Sequence, residues 1–386
     1  MDTTRFRTKT EIRERDNGHL DNIWEIAMDI GYSSVKLFSP NIVASFPSYA
    51  RKVESDFKFA GEAPKNSILY RDDTSGQMWL VGQVAQDTIA YGDTTDSESA
   101  LYSRERYNSD MFLVIARAGL GLAMQSNRFG SPDGKPVFLQ TGLPEKYMRD
   151  TKEITEALSG MHKFSLLLGS GVWKHYTVDL SPSSIAVLSQ PRGTLFSVCT
   201  DRNGHFRSDA RDYLQSSVII FDAGFGTLDL FPITSGAVGH GETYPDLGMR
   251  QVLSETSELI RDKYDTDIPV PSMQKYLETG NVIYFDRKNF KSREYPFDAL
   301  LQQACEHVCN EAVTRMANAL PLIDYRKIVV TGGTGEAWYD MIKNKLVDLP
   351  TLSVVPGNMN DDLPFIYANV RGYYYYRFNK LAAQEK

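Results

Sequence analysis

Short apolar runs broken by glycine turns recur along the chain, and most of the runs come in pairs. In residues 23–48, IWEIAMDIGYSSVKLFSPNIVASFPS, apolar and polar positions alternate around Gly31, which predicts strands about a tight reversal. RDDTSGQMWLVGQVA predicts a hairpin with its turn at Ser75 and Gly76 and a strand from Met78 to Val81. SDMFLVIARAGLGLAMQS has helical spacing, and KPVFLQTGLP reads as a strand ending at a Gly-Leu-Pro turn. Residues 164–191 read as three short strands, and SSVIIFDAGFGTLDLFPI as strand, turn, strand. MRQVLSETSELIRDKY and FDALLQQACEHVCNEAVTRMANAL are amphipathic helices. RKIVVTGGTGEAWYDMIKNKL is a strand, a glycine turn and a helix, and residues 362–386 close the chain as a helix. The tyrosine run in that last helix reads as packing surface. Strands grouped in hairpins and followed by helices predict an α/β protein with mixed sheets and helices on their faces.

Composition narrows the class. A chain of 386 residues suits about two domains, and 42% hydrophobic with 24% charged residues is ordinary for a soluble globular protein. The net charge of −7 argues against direct, non-specific nucleic-acid binding. Three cysteines make no disulfide framework and point to a reducing, cytoplasmic setting. Cys305 and Cys309 flank His307 in ACEHVCN, but on one helix face without a second ligand cluster they read as buried thiols rather than zinc ligands. No apolar run is long enough to span a membrane, and no signal-peptide pattern opens the chain. The first 22 residues, densely charged with mixed sign, are expected to form a mobile or peripheral tail.

Three glycine turns carry the candidate chemistry. In FDAGFGTLD, residues 221–229, Gly224 and Gly226 permit close approach to the backbone, and Asp222 ends a buried strand. Turn amides there can point into a concavity for phosphate oxygens, with Asp222 in reach of a phosphate-bound cation. Read alone, the stretch equally suits an ordinary hairpin with an Asx turn. DIGYSSVK, residues 29–36, has the same logic: Asp29 ends a strand, Gly31 opens the turn, and Lys36 returns seven residues later as a point charge for phosphate. TGGTGE, residues 331–336, sets a glycine turn at a helix N-terminus. Neither GxGxxG nor GxxxxGK[ST] occurs at these turns.

Together and in this order the three turns resemble the phosphate and adenosine motifs of the actin-like ATPases, the ParM-type branch of the actin, sugar kinase and heat-shock ATPase superfamily. WLVGQVA, VFLQTGLP, GETYPDLGMRQV and YANVRGYYYYRF resemble further segments of that branch, so the resemblance runs over about residues 24–380. It implies an actin-like fold of two related RNase H-like α/β domains, each around a mixed five-stranded sheet, with a nucleotide in the cleft between them. Domain I would hold residues 23–212, with 364–386 returning to it, and domain II residues 213–363.

The same resemblance implies ATP, with GTP as the alternative, and Mg²⁺. Asp29 and Asp222 would hold the metal through water, and Lys36 would contact the β/γ-phosphates. The turns at Gly31, Tyr32 and Ser33 and at Gly224, Phe225, Gly226 and Thr227 would cradle the phosphates. Gly332, Gly333 and Thr334 would line the adenosine site, and Glu242 is a candidate for a ribose hydroxyl. Asp229 either braces the second hairpin or joins the metal site. ParM-type proteins carry a Glu shortly before the second phosphate motif; here that stretch is VLSQP and offers Gln190, with Gln140 as its rival for orienting the attacking water. The resemblance further implies a head-to-tail filament of the chain with itself, a separate DNA-binding adaptor and a role in plasmid or DNA segregation, with neither direct nucleic-acid nor membrane contact. The rival readings are a monomeric kinase or chaperone-type ATPase of the same superfamily, and a nucleotide-binding scaffold with little turnover.

Overall fold

The structure, a computed structural model, describes residues 2–88, 104–286 and 288–384. Residue 1 of the expected tail, residues 89–103 of the expected first domain, and Arg287, Glu385 and Lys386 lie outside the described residues.

Two mixed sheets carry the architecture, and each grows from one glycine hairpin. In the first lobe, β2 (Trp24–Ile30) reverses into β3 (Ser34–Phe38), which pairs with β4 (Ile42–Pro47). On the other side of β2 lie β8 (Val137–Leu143) and β11 (Ile185–Ser189), both parallel to it. In the second lobe, β12 (Val218–Ala223) reverses into β13 (Leu228–Thr234) and pairs in parallel with β18 (Lys327–Thr331), which pairs with β19 (Ser353–Pro356). The short strands β14 (Ala237–Val238) and β15 (Glu242–Tyr244) share the far edge of β13. Both lobes share one plan, and each sheet has six strands rather than the expected five: β1 (Glu11–Glu14) lies antiparallel to β4 in the first, and β14 and β15 both border β13 in the second. A separate antiparallel sheet, β10-β9-β6-β7-β5, caps the first lobe; its strands are β5 (Ala50–Val53), β6 (Ile68–Asp72), β7 (Met78–Val81), β9 (Gly160–Leu168) and β10 (Lys174–Leu180). A two-stranded hairpin, β16 (Asn281–Asp286) and β17 (Lys291–Pro296), stands apart from both main sheets.

The helices, in chain order, are α1 (Gln83–Asp87), α2 (Asp110–Ala123), α3 (Thr151–Leu158), α4 (Gln190–Cys199), α5 (Ala210–Leu214), α6 (Met249–Tyr264), α7 (Val270–Tyr276), α8 (Asp298–Ala319), α9 (Gly333–Lys345) and α10 (Ala368–Gln384). Side-chain alternation along the strands decides what each helix covers. Trp24, Ile26, Met28 and Ile30 enter one core with Phe112 and Ile115 of α2. Ala27, between them, joins Tyr373, Tyr374 and Tyr375 of α10 on the opposite face. In the second sheet Ile219, Phe221 and Ala223 face α6, α8 and α9, whereas Val218 and Ile220 face Leu195 and Val198 of α4. By the same parity Asp29 and Asp222 lie on the faces that α10 and α4 cover. Those two helices cross closely because Gly193 and Gly372 meet: a Cβ on Gly372 would lie 1.7 Å from the Gly193 carbonyl oxygen. Cys305 and Cys309 are buried in the α8 core, and burial pushes their thiols up to about 11 and about 12.

The N-terminal segment is not the free tail expected from its charge. Thr3–Phe6 form a 3₁₀ turn, Phe6 enters the second-lobe core, and β1 extends the first sheet. Arg15 donates to both oxygens of Asp361 at 2.7 Å, and Arg371 of α10 donates to the same carboxylate at 2.8 Å. Burial opposes the Asp361 charge, but the Arg15 hydrogen bonds and the Arg371 and Arg15 charges hold its carboxyl down at about 2. Asp72 accepts from Arg117 at 2.7 Å and from the Thr74 and Ser75 amides of its own turn.

Candidate functional site

The two hairpin turns face each other across the space between the lobes. A Cβ on Gly226 would meet the Tyr32 ring at 3.0 Å, so a larger residue there would push the turns apart. Each turn is propped from behind through its carbonyls. Ser48 donates through its side chain to the Gly31 carbonyl at 2.8 Å and through its amide to the Ser33 carbonyl at 2.9 Å. In the second turn, the first amides of α6 take that part: Met249 donates to the Gly224 carbonyl at 3.3 Å and Arg250 to the Phe225 carbonyl at 2.8 Å. A trans peptide points its N–H opposite to its C=O. The amides of Tyr32 and Ser34, and those of Phe225 and Gly226, therefore point away from their props, and all four residues line the cleft. Gly248 makes this second prop possible, because a Cβ there would lie 2.6 Å from the Phe225 carbonyl.

The third turn enters between them. Gly332 has φ +82°, and a Cβ on it would lie 2.1 Å from the Ala223 carbonyl and 2.8 Å from Asp222 Oδ1, so only glycine fits. Gly333 begins α9, and the Thr334 hydroxyl donates to the Gly224 carbonyl at 2.6 Å, tying the helix start to the second hairpin.

Charge is distributed unequally over this frame. Asp29 and Lys36 are cross-strand partners, with Lys36 Nζ 3.3 Å from Asp29 Oδ2. Gln190, the first residue of α4, donates through Nε2 to Asp29 Oδ1 at 2.9 Å. In the second hairpin the equivalent partners are Asp222 and Asp229. Burial, and the nearby Asp29 charge, outweigh a 2.6 Å hydrogen bond from Asn369 and push Asp222 up to about 6. Burial and the Asp222 charge likewise outweigh hydrogen bonds from Thr243 and Thr227 and push Asp229 up to about 7. Asn369 is itself held by the Thr194 hydroxyl, which donates to its Oδ1 at 2.6 Å, so α4 and α10 together orient the amide that meets Asp222.

The cleft encloses about 420 Å³, within the range of small-molecule sites. Asp29, Gly31, Tyr32, Ser33, Lys36, Gln190, Asp222, Gly224, Phe225, Gly226, Thr227, Gly332, Gly333 and Thr334 all line it, and so does Asp229. Two expected residues do not. Gln140 is buried within the first sheet, where its amide donates to the carbonyls of Thr141 and Ala186. Glu242 lies exposed on β15: its neighbour Thr243 faces Asp229, so the pleat turns Glu242 to the other side. Residues missed in the sequence are Asn369, Thr194 and Arg106. Arg106 donates to the Ile30 carbonyl at 2.6 Å and lies 4.7 Å over the Tyr32 ring, bracing the first turn. Asn369 falls inside the YANVRGYYYYRF segment, whose position opening the last helix was the available signal.

The donor set fits a magnesium nucleotide. Two facing glycine turns, a lysine and a helix start suit phosphate oxygens, and glycine at Gly332 lets that helix start pack against Ala223 and Asp222, where any Cβ would clash. Two buried carboxylates at adjoining strand ends suit a hard cation that keeps water and phosphate as its remaining ligands. Among the described residues no group of three or more His, Cys, Asp or Glu could make an all-protein metal cage.

Comparison with known proteins agrees with this architecture. Residues 27–193 match the family described as the N-terminal domain of actin-like proteins. A non-polymerisable quadruple mutant of pCBH ParM superposes with a TM-score of 0.69 at 19% identity, covering 93% of this chain and 100% of that one. A 15-stranded ParM filament from Clostridium botulinum gives 0.69 at 18% identity, over 93% and 99%. An archaeal actin homologue, Ta0583, in complex with ADP gives 0.61 at 14% identity, over 94% and 100%. At these identities the structural likeness shows the fold. No curated protein sequence matches the chain.

Proposed function

We propose that this chain, an actin-like protein by its N-terminal domain and its fold, is a filament-forming ATPase whose assembly is driven by a nucleotide held between its lobes. The observation that carries the reading is the convergence of two amide-presenting hairpins and a glycine helix start on one cleft with Asp29, Lys36, Asp222 and Gln190. The ADP complex of Ta0583 supports a nucleotide in such a cleft, and the ParM filament supports self-assembly of this fold.

In this reading the amides of Tyr32, Ser34, Phe225 and Gly226 hold the phosphates, and Lys36 leaves its partner Asp29 to contact the β/γ-phosphates. Thr334 and the Gly332–Gly333 backbone line the adenosine end. Asp29 and Asp222 hold Mg²⁺, which neutralises charge developing on the phosphoryl oxygens. Gln190 is held by its amide nitrogen on Asp29, which leaves Oε1 to accept from the attacking water. Water oxygen bonds to the γ-phosphorus, the bond to the β-bridging oxygen breaks, and the water proton leaves with phosphate rather than on Gln190. Drawing the lobes together around ATP would favour head-to-tail contacts, and hydrolysis would weaken them. ATP is preferred over GTP in this proposal. The cellular role that fits is plasmid or DNA segregation through a separate DNA-binding adaptor, consistent with the net charge of −7. No helix among the described residues is long and apolar enough to cross a membrane.

Calorimetric titration with ATP, with and without Mg²⁺, tests the site. We expect binding that tightens at least tenfold with Mg²⁺ and phosphate release that follows it. Equal affinity with and without Mg²⁺ would remove Asp29 and Asp222 from a metal site.

A further inference from the structure

The segment expected to be a mobile or peripheral tail instead runs along the cleft from the second lobe to the first. It is fixed to the second lobe first. Phe6 is only 8% exposed and packs in the core that holds Met273 and Leu277. Thr3 donates to the Leu277 carbonyl at 2.7 Å, and Thr8 donates to Gln274 Oε1 through both its amide and its hydroxyl, at 3.1 and 3.2 Å. Beyond Lys9 the chain is fixed to the first lobe. Thr10 and Gln83 bond reciprocally, Thr10 donating from its amide at 3.2 Å and Gln83 from its amide to the Thr10 hydroxyl at 3.4 Å. Asn66 donates to the Thr10 carbonyl at 3.0 Å, and β1 then joins the first sheet. Between these anchors stands Arg7, its side chain 9% exposed, with Asp87 of the first lobe at 2.6 Å and Glu278 of the second as its partners. One guanidinium thus joins a carboxylate from each lobe. The segment also forms part of the cleft wall, through Arg5, Lys9 and Glu11 among others, and its 3₁₀ turn packs against α9.

We propose that residues 4–11 are a strap that forms a further wall of the nucleotide site, and that nucleotide leaves only after the strap lets go of one lobe. The inference rests on the proposed nucleotide cleft and adds a regulation to it. Its physical basis is length. From Phe6 to Thr10 the chain advances four residues, which at full extension reach about 14 Å. The lobes cannot open beyond that reach on this side while both anchors hold. Of the two, the second-lobe anchor is the one to release: it rests on one aromatic side chain and a few hydrogen bonds, whereas the first-lobe anchor continues into a strand of the first sheet. Arg7 adds a salt-sensitive clasp, since both its carboxylate partners are about half exposed.

The test is the dissociation of a fluorescent ADP, chased by excess ATP, from the full-length protein and from Phe6→Ala, Phe6→Leu and Arg7→Gln. Phe6→Ala should speed release about tenfold or more, and Phe6→Leu, which refills the pocket, should restore most of the slow rate. Release from the wild type should quicken with salt, and Arg7→Gln should blunt that dependence. Limited proteolysis within residues 2–15 reports whether Phe6→Ala has freed the strap. A freed strap with a release rate within twofold of wild type overturns the proposal. If neither protein binds nucleotide, the nucleotide reading itself has failed, and small-angle scattering decides the strap alone. A larger radius of gyration for Phe6→Ala than for wild type supports it, and equal radii overturn it.

Discussion

The two hairpins that meet in the cleft share a backbone and differ in charge. Each places an Asp at the end of its first strand and a second ionisable residue seven positions later, directly across the ladder. Each turn has its carbonyls taken from behind, by Ser48 in one and by the start of α6 in the other. In the first hairpin the cross-strand partner is Lys36, so the Asp29 charge is balanced locally. In the second it is Asp229, so two buried carboxyls face each other, with Asn369, Thr227 and Thr243 as their side-chain donors among the described residues. In the proposed function the one frame, used twice, yields a jaw whose Lys36 is freed to meet phosphate, the cationic jaw, and a jaw of paired carboxyls, the anionic jaw, that gains most from a bound cation. Burial, and the charge of a neighbouring carboxylate, push these two carboxyls up to about 6 and about 7.

Removing the anionic jaw should have the largest effect. Asp222→Ala is expected to reduce Mg-dependent phosphate release by a factor of about 10² or more, the scale of losing a charge-stabilising group; undiminished turnover would take Asp222 out of the metal site. Removing the cationic jaw acts on affinity. Lys36→Ala should weaken ATP by about 10- to 100-fold, the equivalent of roughly 1.5–3 kcal/mol for a hydrogen bond to a charged group, and leave adenosine nearly unchanged. Calorimetry with both ligands separates the two.

Protonation sharpens the contrast without a mutation at the first hairpin. The folded-state values of Asp222 and Asp229 lie above those of an unfolded chain, so folding takes up protons there. The resulting stability is fully present below about pH 4 and is lost as pH rises through about 6 and 7, by on the order of 3 kcal/mol per group. Denaturant midpoints of the ligand-free protein should therefore fall between pH 5 and 8, and Asp222→Asn should flatten that fall. A stability that rises with pH in this window would contradict the paired-carboxyl picture. The smallest effect expected is at Gln190. Gln190→Ala should slow phosphate release about tenfold while nucleotide affinity stays within about threefold; a collapse of affinity would make the contact with Asp29 purely structural.

Much of the frame was legible because it is local. β-branched runs, single glycines and the seven-residue spacings between Asp29 and Lys36 and between Asp222 and Asp229 all act within one hairpin, and the strand before Gly332 leads directly into its helix. What was illegible depends on distant partners or on pleat parity. Phe6 and Thr10 sit singly among charges, and nothing in the first 22 residues reveals that their anchors lie at positions 274–278 and 66–83. Arg15 finds Asp361 across 346 positions. Glu242 and Thr243 differ by one residue, and only the pairing of β15 with β13 shows which of them faces Asp229. Gln140 and Gln190 were equal as residue types; only the fold shows that Gln140 is buried between β2 and β11, and that a helix starting at Gln190 aims it at Asp29. The meeting of Gly193 with Gly372, which lets α4 and α10 approach both carboxylates, is likewise a contact between segments far apart in the chain.

The most direct test of the central claim, that nucleotide bound between these two jaws drives assembly, is light scattering of the purified protein after adding Mg-ATP, with phosphate release followed in the same sample until the nucleotide is spent. The account predicts a rise in scattering and a later fall as phosphate accumulates. A flat trace across protein and salt concentrations, with phosphate released all the same, would contradict it and leave a monomeric ATPase in its place.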